Sequence, residues 1–287
     1  MRLFSVLRKG AVRSAGSYKL LITMWAITLA MILLVAMPLR MELKIIFSKS
    51  FATERFLDGF DTGLIGDMGP AFNSLLGSAT YGGFLLLTGG YLLYTFFAGG
   101  LFARYTMAYG SFKVSSFLKS SAHNFFTYLG IGIIMFLITV LWTLVIIGIP
   151  VGVTSAVTGD PFSTMTVSRI MIVIWLLGLP LWFLVADRAR VWIATTGTRK
   201  VFRALGAGFS SLRKGFKVSY FAVLIVFLAN LVFLGLFIVF TAGTLPERGL
   251  MISLFFIATQ VMFLLRLYLK AWRYATVSEL ALLRSVE

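Results

Sequence analysis

The chain has 287 residues, of which 59% are hydrophobic and only 13% charged, and its mean hydropathy is +0.95. A water-soluble domain needs more polar surface than this, so a bilayer must solvate much of the chain. The absence of cysteine and the single histidine exclude disulfides, thiolate metal sites, cysteine nucleophiles and any histidine cluster for a metal or cofactor.

Residues 1–17, MRLFSVLRKGAVRSAGS, place Leu3, Phe4, Leu7 and Ala11 on one helical face, with Arg2, Arg8, Lys9 and Arg13 elsewhere. A short basic amphipathic helix of this kind is expected to lie along the inner membrane surface. The first long apolar run, 18–38, follows. Pro38 is succeeded by charged residues and not by a small-x-small cleavage site, so the run reads as a retained helix.

The segment 39–79 is the only long outer piece. It opens with LRMELKIIFSKSF, in which Leu39, Leu43, Ile46 and Phe47 recur at helical spacing. In the following ATERFLDGFDTGLIGDMGPAF, Gly59, Gly63, Gly66 and Gly69 signal turns, and the aspartates are too widely spread for an EF-hand. Its apolar residues are expected to fold the loop onto the outer mouth or to meet a partner. Phe56, Asp58, Phe60, Asp61 and Asp67 form the candidate interaction site there.

Five further runs are long enough to cross about 30 Å of hydrocarbon, which takes roughly 20 apolar residues: 80–103, 126–150, 170–186, 218–242 and 250–268. In the second span, Gly82-Gly83 and Gly89-Gly90 recur at seven residues and predict close helix packing. Thr88 in the same span leaves a pathway-lining role open. His123 is expected to make a headgroup or loop contact. Pro150 is expected to end the third span, and Gly178 and Pro180 predict a kink in the fourth.

The 187–217 loop repeats the amphipathic pattern, with Val201, Leu205 and Phe209 at i, i+4 and i+8. Arg199, Lys200, Arg203, Arg213 and Lys214 there, with Arg8 and Lys9 of the N-terminal helix, are the candidate anionic-lipid contacts. The alternative reading of both helices is a docking face for a cytoplasmic partner. Ala103-Arg104 and Ala108 match Ala189-Arg190 and Ala194, and Lys113-Val114 with Leu118 match Lys200-Val201 with Leu205. A parallel internal repeat and shared insertion constraints both remain open as explanations.

Polar groups within spans need partners. Asn230 and Gln260 lie at similar depth in the fifth and sixth spans, which suggests a hydrogen bond or a shared polar layer. Asp187 closes the fourth span among many cations, so Arg190, Arg266 and Lys270 are its candidate partners at the inner interface.

Charge sets the topology. The pieces 1–19, 104–125, 187–217 and 266–287 hold twenty of the 26 lysines and arginines, giving +17 on one side of the membrane against −1 on the other. The positive-inside bias places both termini in the cytoplasm. Insertion and anionic headgroups account for the net charge of +16 without nucleic acid. The expected fold is a single all-α domain, a polytopic six-helix bundle with amphipathic interfacial helices.

The basic N-terminal helix, Pro38-Leu39, the outer Ser50-x3-Glu54-Arg55-x-Leu57-x-Gly59-Phe60-Asp61 and the segment Asp187 to Arg190 carry a resemblance. Together they resemble a family of bacterial six-helix inner-membrane proteins, similar to the membrane domains attached to some glycerophosphodiester phosphodiesterases. The resemblance implies the fold and a bacterial inner-membrane location. The catalytic domain of those phosphodiesterases has no counterpart here, so their activity is not carried over. The expected role is a non-enzymatic component that binds membrane lipid or organises a complex, with no cofactor and with a membrane-protein partner as one option. The alternative is a transporter or lipid-translocating protein built on a midplane polar site.

Overall fold

The computed structural model describes residues 3–48, 62–106, 114–213, 215–243 and 249–283, and all regular structure among them is helical. In chain order the elements are α1 (Leu3–Ala15), α2 (Tyr18–Ser48), α3 (Thr62–Thr106), α4 (Val114–Thr143), a π-helical turn (Leu144–Gly148), α5 (Ile149–Thr158), α6 (Pro161–Thr196), α7 (Val201–Ser210), α8 (Phe216–Gly243) and α9 (Gly249–Leu282). Among the described residues six helical stretches are long and apolar enough to span a bilayer, and they coincide with the six apolar runs. At most 33% of any span's apolar window is buried within the protein. Lipid must cover the remainder, and the chain is a multi-pass membrane protein.

Three boundaries differ from expectation. α2 continues through Pro38 to Ser48, so the amphipathic stretch after the first span extends the same helix. α3 begins at Thr62, which puts Gly63 and Gly66 in helix; the break falls at Gly69, whose φ of 46° and ψ of −121° suit glycine. Pro150 does not end the third span. Proline cannot bond the Ile146 carbonyl and crowds it, but the π turn just before it widens the helix, and the chain stays helical to Thr158. Gly159 (φ 58°) ends α5, and Asp160 caps α6 by accepting from the Phe162 and Ser163 amides. The stretch 151–169 between the third and fourth apolar runs is therefore helical except for the turn at Gly159 and Asp160.

The chain divides into two compact units, residues 23–94 and residues 1–22 with 95–287. In the first, α2 packs on the glycine face of α3. A Cβ on Gly82 would lie 2.9 Å from Val35 Cγ1, and one on Gly89 3.2 Å from Met31 Sδ. Ser78 Oγ also donates to Glu42 Oε1 at 2.7 Å.

The second unit holds most of the buried core. Gly99 and Gly100 at the end of α3 meet Ser121 and Phe117 of α4 so closely that a Cβ on Gly100 would overlap the Phe117 ring. Gly178 of α6 receives Trp142 of α4 in the same way. α6 touches α4, α7, α8 and α9, making it the central helix of this unit.

The two amphipathic helices pack on protein. α1 buries Val6, Leu7, Gly10 and Ser14, and α7 buries Ala204, Leu205 and Gly208. Of the faces expected from sequence, Leu7 and Leu205 are buried, whereas Phe4 is 80% exposed and Phe209 42%. Small residues cause the rotation. A Cβ on Gly10 would lie 2.3 Å from Thr276 Oγ1 of α9, and one on Gly208 2.8 Å from the Val185 carbonyl of α6. Backbones approach closely at these positions, and Phe4 and Phe209 turn outward while Val6, Leu7 and Leu205 stay buried.

Candidate functional site

The second unit has a basic end, where the C-terminal part of α6, the N-terminal parts of α1, α2, α4 and α8, α7, and the last turns of α9 lie. Asp187 of α6 is fully buried there. Arg190 Nη1 donates to its Oδ1 at 3.1 Å, and Arg273 Nε of α9 lies 2.8 Å from Oδ2. A carboxylate in such surroundings persists only when paired.

Aromatic rings wall the pair. The Arg273 guanidinium stands 4.5 Å over the Phe183 ring and 5.2 Å from that of Tyr274, within cation–π range. Phe102 packs on Tyr274 with centroids 4.6 Å apart. Tyr128 donates its hydroxyl to the Arg190 carbonyl at 2.8 Å.

The neighbouring Arg188, also buried, ties α6 to the turn that follows α7. It donates to the Ser211 carbonyl, to Ser211 Oγ at 3.0 Å and to Ser219 Oγ of α8 at 2.6 Å. α1 is fixed by a second ion pair, Arg13 with Glu279 of α9. Trp272 Nε1 donates to the Leu7 carbonyl at 2.9 Å, and the Tyr268 hydroxyl to that of Ala11 at 3.3 Å. Val6, Leu7, Ala222, Val226 and Leu280 form the apolar cluster beneath α1.

Of the cations expected around Asp187, the structure brings Arg190 to it. The second partner is Arg273, one helical turn beyond Lys270. Sequence reasoning missed it because the apolar run ends near Tyr268, while α9 continues to Leu282 with Ala271, Tyr274, Ala275, Thr276, Val277, Ser278 and Leu280 buried in protein. That small-residue spacing was the available signal. Lys270 lies in the combined field of Arg273, Arg190, Asp187 and Arg266.

Asn230 of α8 lines a cavity of about 80 Å³ with Phe233 and Phe237 from its own helix and Thr259, Phe263 and Arg266 from α9. Gln260 is half-buried and is not a lining residue. A larger cavity, about 270 Å³, sits at the turn between α1 and α2, where Ser17, Lys19 and Arg104 contribute polar groups.

Arg8, Lys9, Lys200, Arg203 and Arg213 are solvent- or lipid-exposed. Arg199 is exposed too and contacts the single histidine, with Nη2 2.8 Å from His123 Nδ1. Thr88 donates to its own helix at the Phe84 carbonyl, 2.7 Å away. Phe56, Asp58, Phe60, Asp61 and Lys214 lie outside the described residues, as does the side chain of Asp67.

Among the described residues no group of three or more His, Cys, Asp or Glu side chains converges as metal ligands would. Comparison with protein-family models, curated proteins and solved structures finds no match to this chain. The likeness to the phosphodiesterase membrane domains therefore rests on its sequence motifs alone.

Proposed function

We propose that this chain is a non-enzymatic, multi-pass protein of a bacterial cytoplasmic membrane, with its basic end in the cytoplasm, that binds anionic phospholipid and holds its interfacial helices as a platform for a complex. The observation that carries this reading is the charge balance at the basic end. One buried acid, Asp187, is shared by Arg190 and Arg273, while Lys270 and Arg266 continue the positive face of α9. Such an arrangement draws anions, and the abundant anions at that depth are lipid headgroups.

The interfacial helices support the same reading. α1 is held to α9 by its small face and exposes Phe4, Arg8, Lys9 and Val12. α7 exposes Phe202, at 81%, together with Arg203. Aromatic and aliphatic side chains mixed with cations suit the boundary between acyl chains and headgroups. The cations lining the cavity at the α1–α2 turn add a further anionic contact region.

The midplane cavity favours lipid binding over transport. At about 80 Å³ it holds roughly three water-sized groups, and most of its wall is apolar.

Thermal unfolding of the full chain in nanodiscs of graded phosphatidylglycerol and phosphatidylcholine content tests the proposal. Stability should rise with the anionic fraction and the gain should shrink in high salt, since ligands that bind only the native state stabilise it. A midpoint that does not respond to the anionic fraction would overturn it.

A further inference from the structure

We infer that the cavity at the α1–α2 turn is a site for the phosphate and headgroup of one anionic phospholipid of the basic-side leaflet, held by Lys19 and Arg104. The inference rests on the lipid-binding reading above and deepens it by naming the site and the group it takes.

The space itself is the first argument. The cavity measures about 270 Å³ and is lined by Gly16, Ser17, Tyr18, Lys19, Leu20 and Arg104. That is room for roughly nine water-sized groups, more than a bare phosphate fills. The surplus suits a phosphate that carries a small hydroxylated headgroup. Gly16, Tyr18 and Lys19 are exposed at the mouth, whereas Ser17 and Leu20 are buried. Behind Ser17, the fully buried Tyr105 holds its hydroxyl close to Ser14 and Ser17.

Charge is the second. Two cations reach the cavity from different helices, Lys19 from the first turn of α2 and Arg104 from the last turn of α3. No acid is among the described residues that line it. An ammonium has three donors and a guanidinium five, so a phosphate adds to the contacts these cations already make. The start of α2 reinforces them. The Ser17 carbonyl accepts from the Leu20 and Leu21 amides at 3.0 and 3.2 Å, which places Ser17 at the N-cap, but its hydroxyl donates to the Arg13 carbonyl at 3.1 Å. The side chain in the capping position is thus engaged with α1, and the positive end of α2 borders the cavity.

Level decides the occupant. The first apolar span begins at Tyr18 and the second ends at Thr106. Lys19 and Arg104 therefore sit just inside the ends of two spans, at the basic-side boundary of the hydrocarbon, where lipid phosphates lie. Tyr18, 56% exposed, has the amphipathic ring that favours this level, and Ile22 one turn deeper is 50% exposed on the same face of α2. A lipid can place its phosphate in the cavity and run an acyl chain along that face without leaving its leaflet. A soluble phosphate would have no use for the apolar face.

The test is native mass spectrometry of the full chain released from nanodiscs containing equal phosphatidylglycerol and phosphatidylcholine. The chain should retain one phosphatidylglycerol preferentially. Lys19→Gln combined with Arg104→Gln should weaken that retention about tenfold, with the melting midpoint in pure phosphatidylcholine reporting whether the bundle is intact. Lys19→Gln alone, at an exposed position, should weaken it about threefold and keeps the test valid if the double variant does not fold. Lys119→Gln with Lys217→Gln removes the same charge from exposed positions outside the cavity and should leave the lipid in place. Hydrogen exchange gives the location: phosphatidylglycerol should slow the amides of residues 18–21 in the parent and not in the Lys19 variants. Millimolar inorganic phosphate, added to the chain in phosphatidylcholine nanodiscs, should give no such protection.

If the chain keeps no lipid preferentially, both the site and the lipid-binding reading fail. If it keeps phosphatidylglycerol but the Lys19 variants keep it equally well, or the Lys119/Lys217 pair releases it, the cavity site is wrong while general lipid binding stands. Protection of residues 18–21 by inorganic phosphate and not by the lipid would overturn the headgroup assignment in favour of a soluble phosphate.

Discussion

The Asp187 carboxylate of α6 and the Arg273 guanidinium of α9 meet at 2.8 Å, joining two helices that are separated in sequence by α7 and α8. Arg190 completes the carboxylate's coordination from its own helix. Asp187→Asn keeps the shape but removes the charge from between two largely buried arginines. Breaking one side of such a pair costs about 3 kcal/mol or more. The variant should melt well below the parent in detergent, and Arg273→Met, which leaves Arg190 in place, should lose less.

The attachment of α1 depends on Gly10. A methyl there would lie 2.3 Å from Thr276 Oγ1 and 3.0 Å from the Thr276 backbone, so Gly10→Ala must push α1 off α9, at about 1–3 kcal/mol. Hydrogen exchange over α1 should accelerate. Gly16→Ala, whose nearest neighbour would be the Val12 carbonyl at 3.5 Å, should leave α1 protected and serves as the control.

α7 offers a matched pair within one helix. A Cβ on Gly208 would lie 2.8 Å from the Val185 carbonyl, whereas one on Gly206 would meet nothing within 4 Å. Gly208→Ala should destabilise the docking of α7 on α6. Gly206→Ala should stabilise by about 0.5–1 kcal/mol through lower unfolded-state entropy and better helix propensity. Opposite shifts in the melting midpoint are the expected signature.

Asp160 gives a pH dependence with a defined sign. Its carboxyl is held below the usual aspartate value, first by the Ser163 hydroxyl and then by the Ser163 and Phe162 amides. A depressed folded-state value means the cap is fully effective above the unfolded-state value near pH 4 and is lost as pH falls through the folded one. Asp160→Asn should retain the cap and remove that acid-side dependence, while Asp160→Ala should lose the cap at every pH. Hydrogen exchange at the first turn of α6, followed between pH 3 and 7, reads both effects.

The spans were legible because long apolar runs bounded by charge leave a bilayer few alternatives. The same logic failed where protein replaces lipid as the surrounding medium. The last turns of α9 carry Lys270, Arg273 and Glu279, and a hydropathy argument stops there; the helix goes on because Gly10 and the small residues of α9 let α1 cover it. Pro150 was misread for another reason. A π turn can absorb the missing amide, and nothing in residues 144–148 announces one. In the candidate site, the pairing of Asp187 with Arg190 followed from the isolation of that acid among cations. Arg273 as the second partner did not, because register along α9 depends on packing that no single helix reveals.

The most direct test of anionic-lipid binding is the lipid content of the full chain purified in mild detergent from its membrane, compared with that of the bulk membrane. Enrichment of anionic over zwitterionic phospholipid, with about one molecule retained through purification, is the expected result. A co-purified lipid pool with the bulk composition, or a chain free of lipid that remains folded, would contradict it.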